Sequence, residues 1–345
     1  MFKNLSIHDE ANITHRYDTI LSAIDRCSAL SAQHLAMDAP KNWEEAQKRP
    51  EAAEWKTAID EELKSLKDMG VYKLIQRSEL PRDAKVRKGL IILTNKIDAN
   101  GYLARWKAHF IFKGYEQRWG IDYMSTTSPT ARMESWQILL HIAATLNWDA
   151  QQIDIKTAFL YGLLPDDETQ YMEQPKGFEQ PGKELWVWQL KRGLYGMKQS
   201  RRIWNKMMNE AMVSWGFVRL SCESCIYYWK AENGIVMAAV HVDDFLSVAD
   251  SSAENGRFKT QMKEIWRISS SSEAKFCIGI GITLNRDDRT ISLSQMALID
   301  KIIHQFGQQD AYPSNSPMDP GLKLRCLNKK DISMEDQDRF GQLLY

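Results

Sequence analysis

The chain has no excess of charge of either sign: its 345 residues carry 45 Lys and Arg against 45 Asp and Glu. That balance removes any global electrostatic argument for binding nucleic acid, so such a case has to rest on local patches. Cysteine is sparse and scattered, at positions 27, 222, 225, 277 and 326. Cys222 and Cys225 make one C-x-x-C with neither a second pair nor nearby histidines. This argues against structural zinc and a disulfide scaffold, and for free thiols. No secretory signal opens the sequence, and no apolar run approaches the roughly 20 residues that span a bilayer. Together these absences predict a soluble intracellular chain. Its length allows one large core or two to three subdomains.

What is present is organised around Ile235 to Asp250, IVMAAVHVDDFLSVAD. A β-branched run reaches two adjacent aspartates and a second apolar run leaves them. Asn233-Gly234 is a hairpin turn signal, with Cys225 to Lys230 as the partner strand. Asp243 and Asp244 are therefore expected at the tip of a hairpin with buried flanks. Two readings are open from the residues alone: an exposed turn, or a divalent-metal site built of hard oxygen ligands, because neighbouring buried carboxylates need a cation. A third carboxylate is at hand, since Gln151 to Leu160 is another strand-like run with Asp154 in its middle. Two strands carrying three aspartates suit two-metal phosphoryl transfer.

The rest of the chain supplies context. Ile20 to Leu35 is a candidate short helix in an otherwise unpatterned leader. Glu54 to Met69 is an amphipathic helix with Trp55, Ile59, Leu63 and Leu66 on one face and Gly70 to end it; Val71 to Ile75 is then a short strand. Leu90 to Ile97 and Tyr102 to Phe112 form a hairpin, and alternation puts Arg105, Lys107, His109 and Lys113 on one face. That face is either a solvated surface or a grip on phosphates. Glu134 to Leu146 is a helix. Residues 164–178 are a polar connection whose Asp166, Asp167 and Glu168 are expected to be solvated. Leu185 to Lys206 interleaves Lys191, Arg192, Lys198, Arg201, Arg202 and Lys206 with Trp188, Tyr195 and Trp204. It suits a nucleic-acid groove or a cationic helix packed on the core. Helices over Asn255 to Trp266 and Gln295 to Phe306 flank a hairpin (Phe276 to Leu284 with Thr290 to Leu293). The Asp287-Asp288 turn of that hairpin is read as solvated, and Pro313, Pro317 and Pro320 mark a closing loop.

In order, the strings RWKAHFIFKGYEQ, GIDYMSTTSPTARMESWQILLHIAA, DIKTAFLYGLL, YMEQPKGF, RGLYGMKQS, HVDDFLSV and LSQMALIDKII resemble the reverse transcriptase of copia-type long-terminal-repeat retrotransposons. The form is most similar to fungal elements of this Pseudoviridae-like group. The resemblance covers roughly residues 50 to 345. It implies an α+β right-hand polymerase fold, with a palm sheet backed by helices. Residues 1–49 would be a poorly ordered leader or polyprotein linker, 50–252 fingers and palm, and 253–345 a thumb and the start of a connection, ending before any ribonuclease H domain. It implies RNA-directed DNA polymerase activity, with Asp154, Asp243 and Asp244 holding two Mg2+ ions, for which Mn2+ can substitute. Phe159 matches the aromatic beneath the incoming sugar. Gln199 and the backbone near Gly196 match a strip contacting the incoming nucleotide and the template base. Lys107, with Arg105 or Lys113 beside it, matches the triphosphate grip. The implied partners are an RNA or DNA template-primer, deoxynucleoside triphosphates, and integrase and ribonuclease H regions of a polyprotein, with no membrane. The implied location is cytoplasmic, in virus-like particles with entry to the nucleus. His109 departs from the family's usual arginine and forfeits a bidentate phosphate contact. A catalytically inactive remnant, acting as a nucleic-acid-binding module, therefore stands as the alternative. A two-metal nuclease is disfavoured by the LYGMKQS strip, which matches nucleotide selection.

Overall fold

A computed structural model of the protein describes residues 39–97, 103–232 and 234–312, together with 314, 316, 321 and 333. The helices are α1 (Trp43–Ala46), α2 (Ala52–Asp68), α3 (Met133–Leu146), α4 (Ser200–Ser214), α5 (Ser252–Ile265) and α6 (Met296–Gln305). The strands, in chain order, are β1 (Tyr72–Ile75), β2 (Val86–Arg87), β3 (Gly89–Ile97), β4 (Leu103–Phe112), β5 (Asp149–Ile155), β6 (Tyr171–Glu173), β7 (Val187–Leu190), β8 (Val218–Arg219), β9 (Ile226–Ala231), β10 (Gly234–His241), β11 (Asp244–Ala249), β12 (Ile268–Glu273), β13 (Phe276–Cys277), β14 (Ile280–Asn285) and β15 (Thr290–Ser294). The architecture is α+β. No described helix is long and apolar enough to cross a membrane.

The chain divides into two compact units, residues 1–294 and 295–345. In the first, a six-stranded sheet of order β12-β5-β11-β10-β9-β8 is antiparallel at every junction. Strand alternation sends Ile153, Ile155 and Phe245 to one face, where Trp204 and Met208 of α4 and Phe258 and Met262 of α5 cover them. Ala150, Leu246 and Val248 point to the other face and pack against Trp136, Leu139 and Leu140 of α3. Both faces are therefore buried over most of the sheet, which is why β10 and β11 read as near-continuous apolar runs.

A second sheet, of order β1-β7-β6-β2, is antiparallel except for the β2–β6 pair. The β3–β4 ribbon packs beside it through Phe110 and Phe112, which share a core with Leu66, Trp188 and Leu190. The helix expected over 54–69 is α2, with Trp55, Ile59 and Leu66 buried. Gly70 follows in the left-handed region at φ 63°, where glycine has no steric penalty. The second unit contains α6.

Past residue 252 the chain stays in the same core, where α5 packs on the six-stranded sheet and β12 pairs with β5. Before residue 50, Ala46 of α1 is fully buried with Trp55 and Ile59. Several expectations differ from the structure. The Ser-rich β12 carries too few apolar residues for its pattern to announce a strand. Residues 164–178 are not all loop, because β6 lies within them and joins β2 to β7. Trp188 and Trp204 are core residues, which for these two side chains fits the packed-on-core reading of the 185–206 stretch and not the groove. The candidate helix over Ile20–Leu35, the 98–101 turn, Asn233 and Pro313, Pro317 and Pro320 lie outside the described residues. Among the described residues Cys222, Cys225 and Cys277 are free thiols, Cys222 exposed and the other two buried.

Candidate active site

The β10–β11 hairpin turns through Val242 and Asp243, with His241 and Asp244 paired across it. Asp244 in turn lies opposite Asp154 on β5. Directly opposed residues of an antiparallel pair project to the same side, so register alone joins residues 90 positions apart. Two hydrogen bonds hold the tip. The Ile155 amide donates to the Asp243 carbonyl at 3.0 Å. The Trp204 indole donates to the Val242 carbonyl at 2.6 Å. Val242 itself has φ 61°, a conformation that a β-branched side chain adopts only under constraint and that concentrates at functional turns. Trp204 lies in a cationic stretch of the sequence, where nothing local marks it as the side chain that pins the aspartate turn.

Asp154 and Asp243 open onto a cleft of about 270 Å3 that is also lined by Arg105, Lys107 and His109 of β4, Glu61 and Glu62 of α2, Lys156 and Tyr195. Burial is the first cause that raises the Asp154 pKa, and the Asp243 charge the second; Lys107, Lys156 and Lys96 oppose them. Asp244 is pushed up to about 6, by burial first and then by Asp243 and Asp154, against a hydrogen bond from Gln152. The Lys107 ammonium is pulled down by burial, then by Lys96 and Arg105, while Glu62 and Asp154 act the other way. The cleft thus brings the carboxylates Asp154 and Asp243 together with the cations Arg105 and Lys107 of β4 and Lys156 beside β5, while Glu61 and Glu62 of α2 also line it. Lys96 and Lys156 belong to that electrostatic set, though nothing in their own segments marked them. The only available hint was Lys156 two residues after Asp154.

The other expected site residues are distributed less simply. Arg105 and Lys107 line the cleft, but Lys113 does not. It lines a separate cavity of about 680 Å3 with Trp43, Lys88 and Glu173. The reason is that β4 ends at Phe112 and the chain turns into a 3-10 turn at Gly114, which breaks the alternation. Phe159 is also absent from the cleft wall. It packs edge-to-face on Tyr195, with centroids 5.6 Å apart, and Tyr195 is the aromatic that faces the cleft. Burial is the main cause holding the Tyr195 phenol far above its ordinary pKa, reinforced by Glu62, Asp243 and Asp154.

Gln199 is fully buried and committed. Its side-chain oxygen accepts from Gln117 at 3.0 Å, and its amide donates to the Asp122 carbonyl at 3.3 Å. Its side-chain oxygen and amide are thus both engaged within the protein. Gly196 has φ 85°, and a Cβ there would stand 2.2 Å from the Phe112 carbonyl oxygen; the Phe112 amide donates to the Tyr195 carbonyl at 2.8 Å. Glycine lets the strip dock onto the end of β4, which fixes Tyr195 beside the carboxylates. Glu168, expected in solvent, is buried in a bidentate pair with Arg202 at 2.7 and 2.8 Å.

The donor set suits a hard divalent cation: Asp154 and Asp244, raised by burial and by neighbouring aspartates, are stabilised in their charged form by positive charge. Among the described residues no three His, Cys, Asp or Glu side chains stand ready to enclose an ion. Magnesium commonly takes one or two protein carboxylates, with substrate phosphates and water completing its shell, and the cleft fits that pattern.

Comparison with known proteins adds an independent line. Residues 70–320 match the family model described as reverse transcriptase (RNA-dependent DNA polymerase). The chain is 33% identical over 286 residues to the Retrovirus-related Pol polyprotein from transposon TNT 1-94 of Nicotiana tabacum, covering 83% of this chain and 21% of that protein. It is 31% identical over 256 residues to the Pol polyprotein from transposon RE1 of Arabidopsis thaliana, covering 74% and 17%. A putative transposon Ty5-1 protein of Saccharomyces cerevisiae is 32% identical over 197 residues, covering 56% and 62%. The chain spans about a fifth of the plant polyproteins it matches. Among solved structures, a foamy viral protease-reverse transcriptase in complex with double-stranded DNA aligns with a TM-score of 0.40 at 14% identity. It covers 72% of this chain and 36% of that one, too loose a match to place any residue.

Proposed function

The chain belongs to the reverse transcriptase (RNA-dependent DNA polymerase) family, and from that premise we propose that its cleft carries out template-directed nucleotidyl transfer. The primer 3′-hydroxyl attacks the α-phosphate of a deoxynucleoside triphosphate, a new phosphodiester bond forms, and pyrophosphate leaves. The observation that carries this reading is that one cleft brings Asp154 and Asp243 together with Arg105 and Lys107.

Asp154, Asp243 and Asp244 would hold divalent magnesium, which when bound lowers the hydroxyl's pKa and stabilises the departing oxygens. The chain's own residues supply position and field. The hairpin tip is held from below by Trp204 and from β5 by Ile155, so the carboxylates need little reorganisation. Arg105 and Lys107 offer cationic donors to phosphate oxygens. Tyr195, backed by Phe159, presents a fixed aromatic edge where a sugar or base can pack.

A second reading, nucleic-acid binding without turnover, is favoured by His109. Its Nδ1 lies 3.4 Å from Glu62 Oε1, so the ring is engaged with a carboxylate instead of open to a phosphate. Primer extension on an RNA template with deoxynucleotides and magnesium decides between them. Extension by the wild type that vanishes in Asp243→Asn is the expected result. A folded protein that binds template-primer but does not extend it would establish the second reading. Recovery in His109→Arg would then trace the loss to that side chain.

A further inference from the structure

Residues 114–125 turn the usual arrangement of a loop inside out. Tyr115, Trp119, Ile121 and Met124 leave 73%, 74%, 59% and 50% of their surface in solvent, while Asp122 and Gln117 are buried. The loop is strongly anchored from beneath. The Asp122 carboxylate takes the Arg87 guanidinium at 2.8 Å and the Arg118 amide at 2.7 Å. Its carbonyl takes the side-chain amides of Gln170 and Gln199. Gln117 accepts from the Lys198 amide at 2.9 Å. Even the most exposed indole is fixed, because Trp119 Nε1 donates to the Met124 carbonyl at 3.0 Å. A buried ion pair with a shell of amides, holding apolar side chains out into water, does little for stability by itself. It does pre-organise a surface.

We propose that this loop is a stacking platform for the unpaired, single-stranded part of the template; the inference rests on the polymerase reading above. The charge around the rings identifies the occupant. Arg118 lies between the two aromatics in sequence, and Lys198 is held to Gln117 through its backbone; both are exposed. Within the loop Glu116 is the only acid turned outward. Fixed aromatic faces with cations beside them bind single strands without regard to sequence, since every base has a π-face and every nucleotide a phosphate. The strip that places Tyr195 on the cleft wall continues into Gln199, which this loop grips, so the platform and the cleft share one rigid segment.

The test compares binding of the full chain to two labelled duplexes, one blunt and one with a short unpaired 5′ template overhang, by fluorescence anisotropy. Wild type is expected to prefer the overhang. Trp119→Ala weakens overhang binding about tenfold and leaves the blunt duplex unchanged; Trp119→Phe keeps most of the preference, and Tyr115→Ala loses part of it. No wild-type preference overturns the proposal. So does a preference that survives both alanine changes, as a protein-docking face would give, or equal loss on the two duplexes with the melting temperature intact. If primer extension fails while a Trp119-dependent preference remains, the polymerase reading falls and the single-strand platform stands.

Discussion

At the scale of single residues the site is a problem of like charges. Asp244 has a carboxyl pKa near 6 in the folded chain against an ordinary 3.8, because burial and two neighbouring aspartates disfavour its charge. A carboxyl raised on folding penalises the folded state once it ionises. The penalty is absent below pH 4, grows through pH 6 and is complete above it. Asp244→Asn removes the charge and keeps the shape. In metal-free buffer the variant should therefore melt above wild type at pH 7 to 8, with the difference closing as pH falls toward 4. A difference that grows on acidification would refute this account. The residue types and their adjacency were legible in the sequence, as was a strand carrying Asp154, but the register that sets Asp154 opposite Asp244 was not. The Val242 backbone was not, since a valine announces a strand and gives no sign of a left-handed turn.

At the scale of elements, what matters is how the LYGMKQS strip and the 114–125 loop are seated. Arg87 and Asp122 are 35 positions apart, each on a weakly patterned segment, and meet as a buried pair with side chains 5% and 9% exposed. Arg87→Met fills the space but strands the Asp122 carboxylate, and breaking such a pair typically costs about 3–5 kcal/mol. The expected urea midpoint falls accordingly. A loss below about 1 kcal/mol would show that water reaches Asp122. Sequence patterning identified α2, the β3–β4 ribbon and the β9–β10–β11 run because each buries one periodic face. It failed for β6 and β12. A three-residue strand and a serine-rich strand have too little apolar signal to read, and they form because neighbouring strands offer unpaired backbone groups.

At the scale of the molecule, zero net charge means that affinity for polyanions and cations must come from local clusters of charge, and the cleft gathers both signs. If the carboxylates hold magnesium, the ion together with a deoxynucleoside triphosphate stabilises the native chain by mass action, about 1.4 kcal/mol at ten times the dissociation constant. The melting temperature of wild type should rise on adding both. Asp154→Asn and Asp243→Asn should show little rise. An equal rise in all three proteins would place the ion elsewhere.

The division between the two levels of information follows from the range of the interactions involved. Periodicity, turn chemistry and motif order act over a few residues to a few tens. By themselves they put Asp243 and Asp244 at a hairpin tip and Asp154 on a strand, and the motif order carried the resemblance that implies an α+β architecture. Only the tertiary structure decided which cations share the cleft, that Lys113 leaves it, that Gln199 and Glu168 are buried in polar contacts, and that Trp119 is held outward. Those outcomes depend on side chains from distant segments competing for the same buried donors and acceptors. Long-range pairing of this kind leaves no local pattern to read.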